Sequence, residues 1–197
     1  AQADDGRRGL PAAPGPCARR VGRGDLTPPD SELAATFYEL TQELCNAAGM
    51  PAYEISNHAR TAAARSRHNL LYWRSEDWIG VGPGAHGRVA YAGARLATEA
   101  HRRPGDYINA VATTGTGLAG ETRLSGEESA DEALIMGLRV AEGVEKDHIE
   151  ALRRAPLSAA ALSSLQGQGF LVLEGGRIRL TDRGRLLANK IVAELSA

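Results

Sequence analysis

The densest grouping of side chains able to do chemistry is His68-Asn69-Leu70-Leu71-Tyr72-Trp73. An imidazole beside a phenol and an indole suits a flat, apolar, metal-bearing ligand. The ring nitrogen can serve as an axial haem ligand while the aromatic rings cover the macrocycle's faces. On spacing alone, the plainer reading is favoured: His68 holds a loop by hydrogen bonds. The surroundings draw attention to the same region, since Tyr53, Tyr72, Trp73, Trp78, Tyr91 and Tyr107 and four of the 5 histidines (His58, His68, His86, His101) lie between 53 and 107.

A second feature is the glycine loop Gly82-Pro-Gly-Ala-His-Gly87. It matches the dinucleotide fingerprint G-x-G-x-x-G literally. That fingerprint also needs a helix to begin there, so that its N-terminus meets the pyrophosphate. Arg88-Val-Ala-Tyr-Ala-Gly93 reads as extended instead, so the nucleotide reading is rejected. Glycines here serve a sharp turn or a close approach of backbone to a ligand. His86 either points into a site or ties the turn.

Other chemistries lack their residues. No His-x-x-x-His pair exists for zinc, and no Gly-x-Ser-x-Gly for a serine hydrolase. Asp106 and Glu54 are available acids or bases, each expected on a solvated face.

Composition narrows the classes further. The chain has 197 residues, with 23 basic and 24 acidic side chains and a net charge of -1. All basic residues but Lys146 and Lys190 are arginine. This balance argues against a general nucleic-acid binder. Two cysteines, Cys17 and Cys45, build neither a disulfide framework nor a zinc ribbon. No apolar run reaches the ~18 residues of a membrane span, so no transmembrane segment is expected. The absence of a signal-peptide core makes the cytoplasm the default location.

The elements that must position these residues follow from periodicity. Residues 1–29 are rich in Gly, Pro, Ala and Arg and read as an extended arm or a loop remnant, with Cys17 in it. Leu33, Phe37, Leu40 and Leu44 recur at helical spacing, predicting a buried stripe on a helix that Asp30 or Ser31 caps and Gly49 ends. Ala52–Ser56 and Trp78–Val81 are expected strands. Val89–Tyr91 and Arg95–Leu96 are a small hairpin, 106–112 a short helix, and 113–117 a linker. Beyond it, helices are expected over 127–142, 145–154 and 157–167. A hairpin follows across Gly175-Gly176, then a last helix that Thr181 caps. This order predicts an α/β chain whose C-terminal part, 118–197, is mostly helical and winged-helix-like. Residues 119–197 hold 10 basic and 12 acidic side chains, and the helix before the wing has no Lys or Arg. A packing or lid domain is therefore expected, and no nucleic acid as partner.

Three motifs, in this order and spacing, resemble HemW-type proteins: Tyr53-Glu-Ile-Ser-Asn57 with Ala59-Arg60, Arg67-His-Asn-Leu-Leu-Tyr-Trp-Arg74, and Asp77-Trp-Ile-Gly-Val-Gly-Pro-Gly-Ala-His-Gly87. These are haem chaperones of the radical S-adenosylmethionine superfamily, long described as oxygen-independent coproporphyrinogen III oxidase-like. The likeness covers about 20–197, including Leu180-Thr-Asp-Arg-Gly-Arg-Leu-Leu187 near the end. It implies that residues 30–117 are the last part of a partial (β/α)6 barrel, with the family's C-terminal domain after it. It implies haem binding at His68, Asn69, Tyr72 and Trp73, with His68 on the iron, and places Gly82, Gly84 and Ala85 at the barrel's ligand-facing rim. Haem and an unidentified haem-acceptor protein are the implied partners. Two other readings stay open: part of a coproporphyrinogen III oxidase of porphyrin biosynthesis, or a structural or winged-helix binding module without catalysis.

Departures from the family pattern bound this. The family's Cys-x-x-x-Cys-x-x-Cys motif binds a 4Fe–4S cluster that cleaves S-adenosylmethionine, and such a cluster needs three thiolates. Two distant cysteines do not supply them, so neither group is expected on this chain. His58 stands where an aromatic is usual, and Thr61-Ala-Ala replaces a usual Pro-Gly. The chain is expected to be a truncated member, lacking the first half of the barrel.

Overall fold

A computed structural model of the chain describes residues 16–196, so the expectation of an arm over 1–15 lies outside the described residues. The structure divides into two compact units with the boundary between Glu43 and Leu44. The first holds α1 (Pro16–Gly22) and most of α2 (Ser31–Ala47). Pro16–Gly22, Cys17 included, is helical where an irregular arm is expected. Asp30 Oδ1 accepts the N–H of Leu33 at 2.8 Å, capping the otherwise free first turn of α2. Gly49, at φ 69°, stops it. The apolar stripe on α2 is present but not buried: Leu33, Phe37, Leu40 and Leu44 are 44%, 54%, 47% and 61% exposed. Helical periodicity identifies an apolar face; it does not supply the surface that covers it.

The second unit begins with loops and α3 (Arg67–Trp73). Two expected strands are reduced to single bridges. Ala52–Ser56 makes only the pairs Ala52 with His58 and Glu54 with Val140, and Trp78–Val81 makes only Trp78 with Arg88. Ile79 and Val81 are 79% and 83% exposed. An isolated apolar run carries strand propensity but no hydrogen-bonding neighbour on either side, and a strand needs one.

A three-stranded antiparallel sheet follows, in the order β1-β2-β3. It consists of β1 (His86–Tyr91), β2 (Ala94–Ala100) and β3 (Leu118–Arg123). The β1–β2 turn is Ala92-Gly93, both at positive φ, as a two-residue hairpin requires. Between β2 and β3 lies α4 (Pro104–Thr114), which starts on a proline and ends at Gly115 in the left-handed region. β3 is not foreseen in the sequence, because its Leu-Ala-Gly-Glu-Thr-Arg has little β character of its own. It forms by pairing along β2.

The remaining elements build the main core. α5 (Gly126–Gly137) opens with a reciprocal cap between Ser125 and Glu128. It ends five residues before the expected 142, because Val140 leaves the helix to bridge Glu54. Then come β4 (Val144–Glu145), α6 (Lys146–Arg153), α7 (Ala159–Gly167), β5 (Leu171–Glu174) and β6 (Arg177–Leu180). The second antiparallel sheet has the order β4-β6-β5. The last expected helix is two: α8 (Asp182–Arg185), capped by Thr181, and α9 (Ala188–Ser196). Gly184 pins α8 to the hairpin, since a Cβ there would come within 1.9 Å of the Phe170 carbonyl oxygen. Leu134, Leu138, Ile149, Leu171, Ile178, Ile191 and Leu195 are fully buried among these elements. A smaller cluster of Tyr53, Ala59, Leu70 and Val140, with Trp73 against it, ties α3 to the residues after α5.

Candidate functional site

α3 carries the motif residues and is fixed at both ends. The Ser66 hydroxyl accepts the Asn69 N–H at 3.2 Å, and the Ser66 N–H donates to the Tyr53 phenol at 3.1 Å. At the other end Arg74 donates to both carboxylate oxygens of Glu142, Nε to Oε1 at 2.7 Å and Nη2 to Oε2 at 3.0 Å. That hydrogen bond holds the Glu142 carboxyl below its ordinary range against the opposing effect of burial.

Four-residue spacing on one helix face brings His68 and Tyr72 together. Their ring centroids lie 4.7 Å apart, edge to face at 83°. Tyr72 in turn meets Trp78 at 4.7 Å and 68°. The guanidiniums of Arg88 and Arg95 sit 5.8 and 5.7 Å from the Trp78 ring centre. Trp78 is held by a two-way backbone bridge with Arg88, at 2.7 and 2.9 Å, and its indole N–H donates to the His86 carbonyl at 3.1 Å. Glu132 on α5 holds Arg88 at 2.8 and 3.0 Å. The result is a ladder, His68–Tyr72–Trp78–arginine, anchored at its inner end by an ion pair. At its outer end His68 is exposed. Its imidazole makes no hydrogen bond or ion pair among the described residues. The loop-holding role expected for His68 is therefore not what this imidazole does here.

Trp73 is placed apart from that ladder. It packs on the Tyr53, Leu70 and Val140 cluster, with the Arg139 guanidinium 5.8 Å from its ring centre. Trp78, not Trp73, stacks in line with His68 and Tyr72. Sequence reasoning passed over Trp78 as part of a strand. The available signal was its place in the third motif, six residues beyond Tyr72. Asn69 contributes its backbone N–H to the helix cap.

The glycine loop forms a separate turn. Gly82 and Gly84 stand at φ 105° and 71°, and a Cβ on Gly82 would meet nothing within 4 Å. Their need is conformational, not close approach. Gly82 N–H donates to the Tyr107 phenol at 3.3 Å, Gly84 N–H to the His101 carbonyl at 2.9 Å, and the Ala85 carbonyl accepts the Ala100 N–H at 2.8 Å. Strand β1, not a helix, starts at His86, so these amides have no helix N-terminus behind them to cradle a phosphate. His86 Nδ1 lies 3.7 Å from Glu99 across the hairpin.

Glu54 corrects another expectation. It is fully buried, at 0% exposure, not on a solvated face. Its carboxylate accepts the Ser56 N–H at 3.2 Å, the Ser56 hydroxyl at 3.3 Å and the Asn57 side-chain amide. A buried carboxylate is tolerated only with such donors. The Glu-x-Ser-Asn spacing of the first motif supplies them, and so it builds a local structural knot. Asp106 is exposed in the first turn of α4.

Among the described residues no group of three or more His, Cys, Asp or Glu is placed to hold a metal ion. Cys45 on α2 is a free thiol. The residues present do not fit a three-thiolate cluster. Among the described residues no helix is long and apolar enough to cross a membrane.

Comparison with known proteins agrees with these motifs. The family model described as the HemN C-terminal domain matches residues 124–187. The heme chaperone HemW of Mycobacterium tuberculosis is 35% identical over 178 residues, covering 90% of this chain and 43% of that protein. The mitochondrial radical S-adenosyl methionine domain-containing protein 1 of Danio rerio is 34% identical over 184 residues, covering 88% and 41%. HemW of Bacillus subtilis is 33% identical over 172 residues, covering 86% and 44%. Among solved structures, coproporphyrinogen III oxidase (HemN) of Escherichia coli, a radical SAM enzyme, superposes with a TM-score of 0.61 at 18% identity, over 88% of this chain and 43% of that one. At that identity the likeness is one of fold. The chain spans less than half the length of these relatives. On the order of its motifs and this shared stretch, it belongs to the HemW-type family and corresponds to the C-terminal part of its members.

Proposed function

We propose that the chain handles haem as the C-terminal part of a HemW-type haem chaperone, with haem as cargo and His68 as an axial ligand to its iron. The carrying observation is the state of His68. An exposed imidazole with no hydrogen-bond partner, at the open end of an aromatic ladder, has both nitrogens available. A neutral imidazole donates a lone pair to iron, and the edge-stacked Tyr72 limits its rotation. Trp78 and its two arginines fix Tyr72 from behind. Asn69 and Trp73 support the helix that presents His68, and Gly82, Gly84 and Ala85 form the neighbouring rim.

On this reading residues 30–117 are the end of a partial (β/α)6 barrel, and the bridged segments 52–56 and 78–81 are its last strand positions. Residues 118–197 are a winged-helix-like domain, supported by the order helix, strand, two helices and hairpin from α5 to β6. α7 carries no Lys or Arg, so this domain packs; it does not read DNA. An acceptor protein takes the haem, and the cytoplasm is the location proposed. The 4Fe–4S cluster and S-adenosylmethionine belong to the intact family, and no step here runs through them.

Haem titration tests this. Wild type is expected to give a Soret shift that His68→Ala removes and His101→Ala retains. Because His68 is exposed, its replacement leaves the fold in place. Equal haem binding by the two variants would overturn the assignment of His68.

A further inference from the structure

A cleft of about 840 Å3 opens between the β1–β2 turn, the β3–α5 junction and the end of α6. Its size is that of a small-molecule site, about 300–1,000 Å3. Five arginines line it. Two are neutralised: Arg74 by Glu142, and Arg95 by Asp77 at 3.5 Å and Glu132 at 3.6 Å. Three are not. Arg153 donates to the neutral carbonyl oxygens of Leu195 and Ser196, each at 3.1 Å. Arg123, at the end of β3, and Arg154, just past α6, have no side-chain partner among the described residues. Glu127 is the one carboxylate lining the cleft.

The Ser75 hydroxyl is buried without a hydrogen bond, and Ser75 borders the cleft. Buried polar atoms without partners are uncommon and call for an explanation. Three side-chain-bearing residues have positive φ among the described residues, namely Ser75, Ala92 and Arg154, and all three line this cleft. Ala92 is accounted for by its hairpin turn. Ser75 and Arg154 follow α3 and α6, where glycine is the ordinary choice, and Arg154 is exposed there.

We propose that this cleft binds a small anion carrying two or more carboxylate or phosphate groups, clamped between Arg123 and Arg154. A guanidinium presents a planar fork that meets either group with two parallel N–H···O bonds. Two unpaired forks lining one cleft select a ligand with more than one anionic group. Arg153 adds a third guanidinium beside Arg154, with no carboxylate partner among the described residues. Arg95 borders both this cleft and the Trp78 ring, but His68, Tyr72 and Trp78 do not line the cleft, and Arg123 and Arg154 take no part in the ladder.

Isothermal titration with citrate and with pyrophosphate tests this on the whole chain. At least one is expected to bind with Kd below about 1 mM. Arg123→Gln and Arg154→Gln should each weaken that binding about tenfold or more, while Lys190→Gln, at an exposed position of α9 outside the cleft, leaves it unchanged. Binding of citrate alone assigns a carboxylate ligand, and binding of pyrophosphate alone a phosphate ligand. Binding of both assigns recognition by charge and fork geometry, and each of these three outcomes supports the site. Arg123→Lys keeps the charge but loses the fork, and an intermediate loss is expected. Failure of both anions to bind wild type, or binding by both glutamine variants within threefold of wild type, would overturn the proposal. Both arginines are exposed, and thermal melts of the variants confirm that they remain folded.

Discussion

Arg74 and Glu142, 68 positions apart, form a two-pronged ion pair that fastens the end of α3 to the segment between α5 and β4. The helix presenting His68 is thereby tied to the C-terminal core by charge on one side and by Trp73 on another. This has a pH consequence. The Glu142 carboxyl is lowered in the folded state, chiefly by the Arg74 hydrogen bond. Its contribution is therefore fully present above the unfolded value, about 4.3 for Glu, and is lost as pH falls through the lowered folded value. Glu142→Gln should lower the melting temperature at neutral pH. The gap to wild type should close on acidification below about pH 4. Melting curves across that range check this, and a gap constant with pH would refute it.

Glu54 should behave as a structural carboxylate. Glu54→Leu removes the acceptor shared by the Ser56 N–H and hydroxyl and the Asn57 amide, and losing these charge-assisted hydrogen bonds costs about 1.5–3 kcal/mol. Glu54→Gln keeps one acceptor oxygen and should cost less. Denaturant unfolding of the two variants gives the order, and equal losses would show that the carboxylate's acceptors are not what matters.

Trp73 and Trp78 should separate cleanly. Trp73 is partly buried against the second cluster, so Trp73→Ala is expected to destabilise by about 0.5–3 kcal/mol. Trp78→Ala removes the ring behind Tyr72 and should weaken haem binding more than it changes the unfolding midpoint. Parallel unfolding and haem titrations decide, and the reverse pattern would assign the haem face to Trp73.

The glycine turn gives a conformational test. Gly84 sits at φ 71° with only distant neighbours, the nearest being Arg102 Cα at 3.8 Å from a built Cβ. Gly84→Ala should cost about 1 kcal/mol or more through backbone strain alone. Gly84→Asn should cost less, since Asn tolerates the left-handed region. Thermal melts compare them, and equal losses would point to side-chain crowding.

Much of the fold was legible in local pattern. The caps at Asp30 and Thr181, the Gly175-Gly176 hairpin and the helices α6 and α7 each follow from residues within a few positions of one another. Capping, turn conformation and helical periodicity are short-range effects, and the sequence states them directly. The three motifs likewise carried the family. Partners were another matter. The α2 stripe has its helical period, yet it stands exposed. The Trp78–Val81 run has strand character but only one bridge, because a ladder depends on chain that is distant in sequence. Strand β3 exists only through β2. Which ring of the motif stacks on Tyr72 could not be read from adjacency either. Trp73 follows Tyr72 directly and so points to a different side of α3, and only the return of the chain at Trp78 closes the ladder. The arginine cleft is the extreme case. Its five arginines come from the turn after α3, from β2, from β3 and from the end of α6, and the sequence distinguishes paired from unpaired arginines nowhere. Where each guanidinium finds a carboxylate is a matter of three-dimensional distance, and only the tertiary structure sets it.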